Sequence, residues 1–292
     1  MDGILVIDKP SGLTSHDVVN RVRRILRTKR VGHTGTLDPF ATGVMVVLVG
    51  NATRLAQFID KDDKEYEALV RFGFETDTGD RTGSPKSKVQ SPKSVGVESI
   101  EQVLDQFRGE IKQVPPMYSA KKVDGKKLYE LARQGIEIER KSVQVTIKHL
   151  EVLDIADSLV RIRVACSAGT YIRTLAEDIA WAAGSAAHLA ELRRTASGKF
   201  TIDESVSLDD LEKHDEPTSF LLPVRTAIAS LPEFVLIANR VEKTKNGMST
   251  RDLSGQFSNG ELVQMIDETG LLVAIGHFDE TEKVVQPKVV LS

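Results

Sequence analysis

The longest clean apolar run in the chain is VMVVLV, residues 44–49. Six residues fall far short of the roughly 20 a helix needs to cross a bilayer. The run is rich in β-branched residues and reads as a strand. GILVID, residues 3–8, reads as a short buried strand of the same kind. Residues 64–73 (KEYEALVRFG) alternate, so Tyr66, Ala68, Val70 and Phe72 share one face. Two further strands are predicted at 143–155 and 159–166. Between them the apolar spacing changes to the helical period. Helices are predicted at 15–28 with Ser15 as N-cap, from an Asn51 cap through 59, and at 99–107. Others are predicted at 126–134 closed by Gly135, at 170–183 and at 186–195.

Residues 79–97 carry no aromatic residue, leucine or isoleucine and are rich in Gly, Ser, Pro and Lys. They read as an exposed, mobile loop. Past an acidic segment ending near Pro232, the runs FVLIA, ELVQMID, LLVAIGHF and KVVQPKVVLS alternate with Gly, Asn and Asp. They predict a β-rich C-terminal module of about 60 residues, near the lower size for independent folding. No internal repeat is visible.

A length of 292 residues with 40% hydrophobic and 28% charged side chains describes a soluble globular protein able to bury a core. The single cysteine, Cys166, excludes an intramolecular disulfide and a thiolate-rich metal site, and fits a reducing compartment. MDGILVIDKP lacks the basic start and apolar length of a signal peptide. The net charge of −3 conceals an uneven distribution. Residues 21–30 hold six basic side chains and no acidic one, while residues 203–216 hold seven acidic side chains and one lysine. Because screening makes phosphate attraction local, the basic patch matters more than the total.

The stretch VGHTGTLDPFATG, residues 31–43, surrounds one carboxylate, Asp38, with small residues. It has neither helical nor strand periodicity. Pro39 biases Asp38 toward extended backbone, and Gly32, Gly35 and Gly43 permit close approach or positive φ. The residues alone leave two readings open: a turn in which Asp38 bonds its own backbone, or a carboxylate presented for chemistry. A phosphate cradle is disfavoured, since no Gly-Lys-Ser/Thr ending and no Gly-x-Gly-x-x-Gly occurs there. The six histidines lack metal-ligand spacing. By spacing, Arg173 has a surface partner in Glu177, four residues on. Tyr66 and Tyr171 read as core aromatics and His33 as a loop histidine. Arg21, Arg24, Arg27 and Arg30 read as phosphate contacts.

Taken together, DKPSGLTSHDVV (8–19), GHTGTLDPFATGVM (32–45), KEYEALVRFGFETDTGD (64–80), PPMYSAKKVDGKKLYELARQG (115–135), CSAGTYIRTLAEDI (166–179) and AAHLAELRRTASGKF (186–200) resemble, in order and spacing, the bacterial tRNA pseudouridine synthases of TruB type. The resemblance covers nearly all of the first 230 residues. It implies an α+β fold with a mixed β-sheet catalytic core flanked by helices over 1–230. A small β-rich PUA-like RNA-binding module is implied over 233–292, from a looser match. Departures from the family pattern are Met45, Gly79 and Ala168, none at a position the chemistry needs.

The resemblance further implies isomerisation of the T-loop uridine at tRNA position 55. It assigns Asp38 as the catalytic aspartate, Arg173 as its partner, and Tyr66 as the residue that stacks on the base and assists proton transfer. Tyr171 and Leu192 become walls of the base pocket, and His33 fills the RNA where the base departs. Lys9 and Pro10 support the loop. Lys121 and Lys122 join the arginines as phosphate contacts. The expected partner is the tRNA T-stem-loop, with no cofactor, no metal and no membrane, and a monomer acting in the cytoplasm. The alternatives are an RNA-binding or tRNA-folding module on the same scaffold, and a synthase with another RNA target.

Overall fold

The computed structural model describes residues 1–88, 97–123, 125–252 and 254–291. A ten-stranded mixed sheet forms its frame. From one edge the order is Val206–Ser207, Gly3–Lys9, Thr42–Val49, Ala187–Ser197, Lys64–Phe72, Leu159–Cys166, Val143–Ala156 and Gly109–Gln113. Val31–Thr34 is added on Thr42–Val49, and Phe200–Thr201 on Ala187–Ser197. The strand patterns follow the sequence reading. Gly3–Lys9 and Thr42–Val49 are buried along nearly their whole length, while Lys64–Phe72 alternates buried and half-exposed residues.

Apart from the edge strand Val206–Ser207, which runs parallel to Gly3–Lys9, the sheet is two antiparallel halves with a thin joint. Thr42–Val49 pairs antiparallel with Gly3–Lys9 over seven residues, and Ala187–Ser197 pairs antiparallel with Lys64–Phe72. Across the joint, the two inner strands meet in parallel at only two registers, Thr42 with Arg193 and Gly43 with Arg194. The strands splay beyond that point, and the loop bearing Asp38 sits there. Gly43 is required for the approach: at φ +100° a Cβ would stand 2.2 Å from the Arg194 carbonyl oxygen.

Helix Ile172–Ala182 packs Leu175, Ala176 and Ile179 into a cluster with Ala68, Val70, Ile162 and Val164 on one half. Helix Ser15–Ile25 packs Val18, Val19 and Val22 against Leu5, Ile7, Met45 and Val47 on the other. Each fully buried Val, Leu or Ile contributes about 1.5–3 kcal/mol, so both helices are fixed to the sheet by apolar stripes.

Several boundaries differ from the sequence reading. Residues 186–195, expected as a helix, form the strand Ala187–Ser197. Their Ala, Leu, Glu and Arg favour a helix locally, but pairing to strands on both sides overrides that preference. Residues 31–34, expected as loop, form a strand against Thr42–Val49. The N-cap of the first long helix is Thr14, in a capping box with Asp17, rather than Ser15. Asn51 caps no helix and bonds Asp2 and Arg30. The helix expected over 126–134 is the short Leu128–Ala132, entered from a small hairpin of Lys122–Val123 and Lys126–Lys127. Part of the expected 79–97 loop is ordered: Asp80 is buried and accepts from Thr78 and Thr82, and Pro85–Lys88 pairs with Phe74–Thr76. Its residues 89–96 lie outside the described residues.

A separate five-stranded sheet, ordered Glu233–Leu236, Leu262–Asp267, Leu272–Asp279, Val284–Val290 and Thr250–Arg251, forms the C-terminal part. It has its own cluster of Phe234, Met265, Phe257 and Phe278. Ile275 leaves that cluster and joins Ile4, Leu48 and Phe200 of the large sheet and Leu55 just after it, so the two sheets share an apolar seam.

Candidate active site

Asp38 is held by segments on every side. Behind it, the turn after strand Gly3–Lys9 grips the loop residue by residue. Ser15 Oγ accepts from the Leu37 amide at 2.9 Å and donates to the Leu37 carbonyl at 3.2 Å. The Gly12 amide and the Lys9 ammonium both donate to the Pro39 carbonyl, at 2.8 and 3.2 Å, and Ser11 Oγ donates to the Phe40 carbonyl. Leu37, Phe40 and Ala41 are buried in the core. Residues 37–41 are therefore anchored on both sides of the aspartate, which fixes its direction.

The carboxylate does not bond its own backbone, so the turn reading fails. It meets Arg173 in a two-point pair, Nε to Oδ2 at 2.9 Å and Nη2 to Oδ1 at 3.2 Å. The remaining guanidinium donors reach the carbonyls of Thr78 and Tyr118, each at 2.7 Å. Arg173 thus ties three loops to one charge. Its side chain is 6% exposed, and that of Asp38 is 31% exposed and open to a cavity. Glu177 takes no share of Arg173, contrary to the spacing argument. Arg173 lies on the buried side of helix Ile172–Ala182, and Glu177 faces a second cleft with Lys86 and Trp181. Burial pushes the Asp38 carboxyl above the usual aspartate range, and the Arg173 guanidinium pulls it back down.

The cavity measures about 280 Å³ and has Asp38 and Arg173 in its wall. That is at the small end for ligand pockets, which run from about 300 Å³. Tyr66, Tyr171 and Leu192 line it. Tyr66 is 8% exposed and burial raises its phenol pKa, as it does for Tyr171. Both phenols are protonated at neutral pH. Tyr171 is fixed at the N-terminus of its helix by reciprocal bonds with the Gln113 amide side chain. His33 does not line the cavity. It lies half-buried on strand Val31–Thr34 with an enclosed, unpartnered Nδ1, and burial lowers its pKa.

The wall residues not read from the sequence include two cationic ones, Lys64 and Arg194. Lys64 Nζ donates to the carbonyls of Asp60 and Asp62. Arg194 donates to the carbonyls of Val44 and Gly35. Lys9 is capped the same way, by Pro10, Leu13 and Pro39, and burial pushes it down to about 8. Only the alternation of Leu192 and Arg194 on a strand could have flagged the arginine, and that region read as a helix.

The basic patch is less free than its sequence implies. Arg21 is clamped by Asp209 at 2.6 Å and Glu212 at 2.5 Å, so the acidic segment packs onto the basic helix. Arg30 donates to Asn51 and Thr53. The Arg21 charge is thus answered by carboxylates, which corrects its reading as a phosphate contact, whereas Arg30 meets only neutral acceptors and keeps its charge. Arg24 and Arg27 are exposed, Lys122 is exposed and Lys121 is half-buried.

A model of the TruB family pseudouridylate synthases (N-terminal domain) matches residues 23–172, and one of the tRNA pseudouridylate synthase B C-terminal domain matches 173–229. The chain belongs to the TruB family. Among curated TruB relatives named tRNA pseudouridine synthase B, that of Aromatoleum aromaticum is 49% identical over 96% of this chain and 89% of its own length. That of Solibacter usitatus is 44% identical over 94% of this chain and 95% of its own. Among solved structures, the matched chain of a Cbf5–Nop10–Gar1 complex superposes with a TM-score of 0.77 at 28% identity, covering 99% of this chain and 85% of that one. The matched chain of an archaeal box H/ACA Nop10–Cbf5 complex gives 0.74 at 28% identity over 99% and 86%. Arg173 is the first residue of the second matched region, so the Asp38–Arg173 pair is built from both regions.

Proposed function

We propose that this chain is a tRNA pseudouridine synthase acting on the T-loop uridine at position 55, with Asp38 as the catalytic carboxylate. The observation that carries the reading is the two-point Asp38–Arg173 pair at the wall of a cavity of nucleobase size. Names of the curated relatives support the substrate class.

The chemistry is an isomerisation. The C1′–N1 bond breaks, the uracil turns, a C1′–C5 bond forms, C5 loses a proton and N1 gains one. There is no net redox change and no group leaves, so the residues need supply only a nucleophilic or electrostatic carboxylate and a pocket. Arg173 keeps Asp38 ionised in a site whose burial opposes ionisation. The base must leave its stack, at a cost of a few kcal/mol. Stacking on an aromatic face such as Tyr66 offsets part of this, being worth about 1–3 kcal/mol. In this reading Leu192 and Tyr171 close the pocket on the base, and His33, outside it, meets the RNA.

The second sheet with its own core supports a division into a catalytic part at 1–230 and an RNA-binding, PUA-like part at 233–292. Arg24, Arg27, Lys121 and Lys122 supply phosphate contacts. The chain's place of action is the cytoplasm, with its tRNA substrate. The test is a map of pseudouridine in total tRNA lacking this modification after treatment with the protein. Conversion confined to position 55 is expected, and conversion elsewhere with none at 55 overturns the site assignment.

A further inference from the structure

We propose that Arg194 is a positioning residue for the isomerisation, holding the Tyr66 hydroxyl against the flipped base from a buried seat that Gly35 and Gly43 make room for. The proposal rests on the reading of the cavity as the base pocket.

Arg194 is 1% exposed, yet no carboxylate among the described residues pairs with it. An arginine stays charged in any protein setting, and an uncompensated buried charge is costly. Its Nε donates to the Val44 carbonyl at 2.6 Å and its Nη2 to the Gly35 carbonyl at 3.0 Å. Across the strand pair Arg194 stands in register with Tyr66, which places its guanidinium beside the phenol, and its Nη1 has no acceptor among the described residues. Both residues line the cavity. In the proposed contact the phenol oxygen accepts from the guanidinium, which leaves the phenol's own hydrogen free for a group in the cavity.

The two glycines give an independent observation. A Cβ on Gly35, at φ +66°, would stand 3.1 Å from Arg194 Nη1. A Cβ on Gly43 would overlap the Arg194 backbone. The small residues around Asp38 therefore serve Arg194 as much as the aspartate. When the C1′–N1 bond breaks, its electron pair stays on the pyrimidine. A hydrogen bond from Tyr66, polarised by Arg194, meets that charge without any proton having to transfer.

The test uses the full chain and a T-stem-loop RNA, with single-turnover pseudouridine formation and RNA affinity measured in parallel. Enzyme in excess keeps the slowest variants readable. Arg194→Gln is expected to slow the chemical step about 100-fold with RNA affinity within about threefold, and Arg194→Lys to recover about tenfold of that. In a Tyr66→Phe background, Arg194→Gln is expected to cost less than about threefold, because the interaction it serves is already gone. An undiminished rate in Arg194→Gln, or its full cost retained in the Tyr66→Phe background, overturns the proposal and leaves Arg194 a structural residue. Should Arg194→Gln not fold, Gly35→Ala takes its place. It presses on Nη1 but keeps the charge, and its rate loss must likewise vanish when Tyr66→Phe is present. Wild type that makes no pseudouridine would count against the proposed function instead, so the two failures are separable.

Discussion

Arg173 and Arg21 each bind carboxylates through two contacts, yet they do different work. Arg173 pairs with Asp38 inside the molecule, with a side chain 6% exposed, and carries two main-chain carbonyls besides. Arg21 pairs with Asp209 and Glu212 at the surface, where both carboxylates face water. At the surface, solvent screens the charges and the pair contributes little. In the interior, desolvation makes each partner depend on the other. The same residue types thus form a seam between two helices in one place and a charged site in the other.

The sharpest way to break that contrast is to remove one partner. Arg173→Met is expected to slow turnover about 10²–10³-fold. It should also destabilise the fold by about 3 kcal/mol, the lower end for a broken buried pair because Asp38 is partly open to the cavity. Single-turnover rates and urea unfolding read the two effects. Arg21→Ala should change neither rate nor stability by more than about 1 kcal/mol.

The pH dependence separates the regions next. The Asp38 carboxyl is pushed up by burial, so its charge is lost as pH falls through a value above the ordinary aspartate range. The acid limb of the rate profile should lie above that range. Arg173→Gln should move it higher, since the guanidinium holds that value down.

Glu177, half-buried and without an ion pair among the described residues, shows the other balance: burial pushes it up to about 7 against weaker pulls from Lys86 and Arg173. A folded-state value above the unfolded one means the native state binds the proton more tightly. Stability then falls as pH rises from about 4.5 to about 7, and the penalty is complete above that. Glu177→Gln is expected to raise the unfolding temperature at pH 8 by about 2–4 °C, with the gain disappearing toward pH 4.5. The smallest effect concerns RNA. Arg24→Ala should lower the salt dependence of binding by about one counterion, while Arg21→Ala leaves it unchanged because its charge is already answered.

The strands with continuous or alternating apolar residues were legible, because burial on one or two faces writes itself into the sequence at period two. The strand Ala187–Ser197 was not, since its residues prefer a helix and only distant partners decide otherwise. That misreading also hid Arg194, whose inward direction exists only on a strand. Asp38 could be singled out by its surroundings, and the family resemblance added Arg173 and Tyr66. Spacing alone gave Arg173 to Glu177, because a contact across 135 residues leaves no local trace. The same holds for Arg21, whose partners lie 188 and 191 residues away, and for Ser15, which clamps Leu37 instead of capping a helix.

The central claim is that Asp38, held by Arg173, performs the isomerisation while other residues hold the RNA. It is tested most directly by single-turnover pseudouridine formation on a T-stem-loop RNA with wild type and Asp38→Asn, alongside RNA affinity. The account predicts a loss of about 10⁴-fold or more in rate with affinity nearly unchanged, since phosphate contacts dominate binding. Conversion by Asp38→Asn at close to the wild-type rate would contradict it.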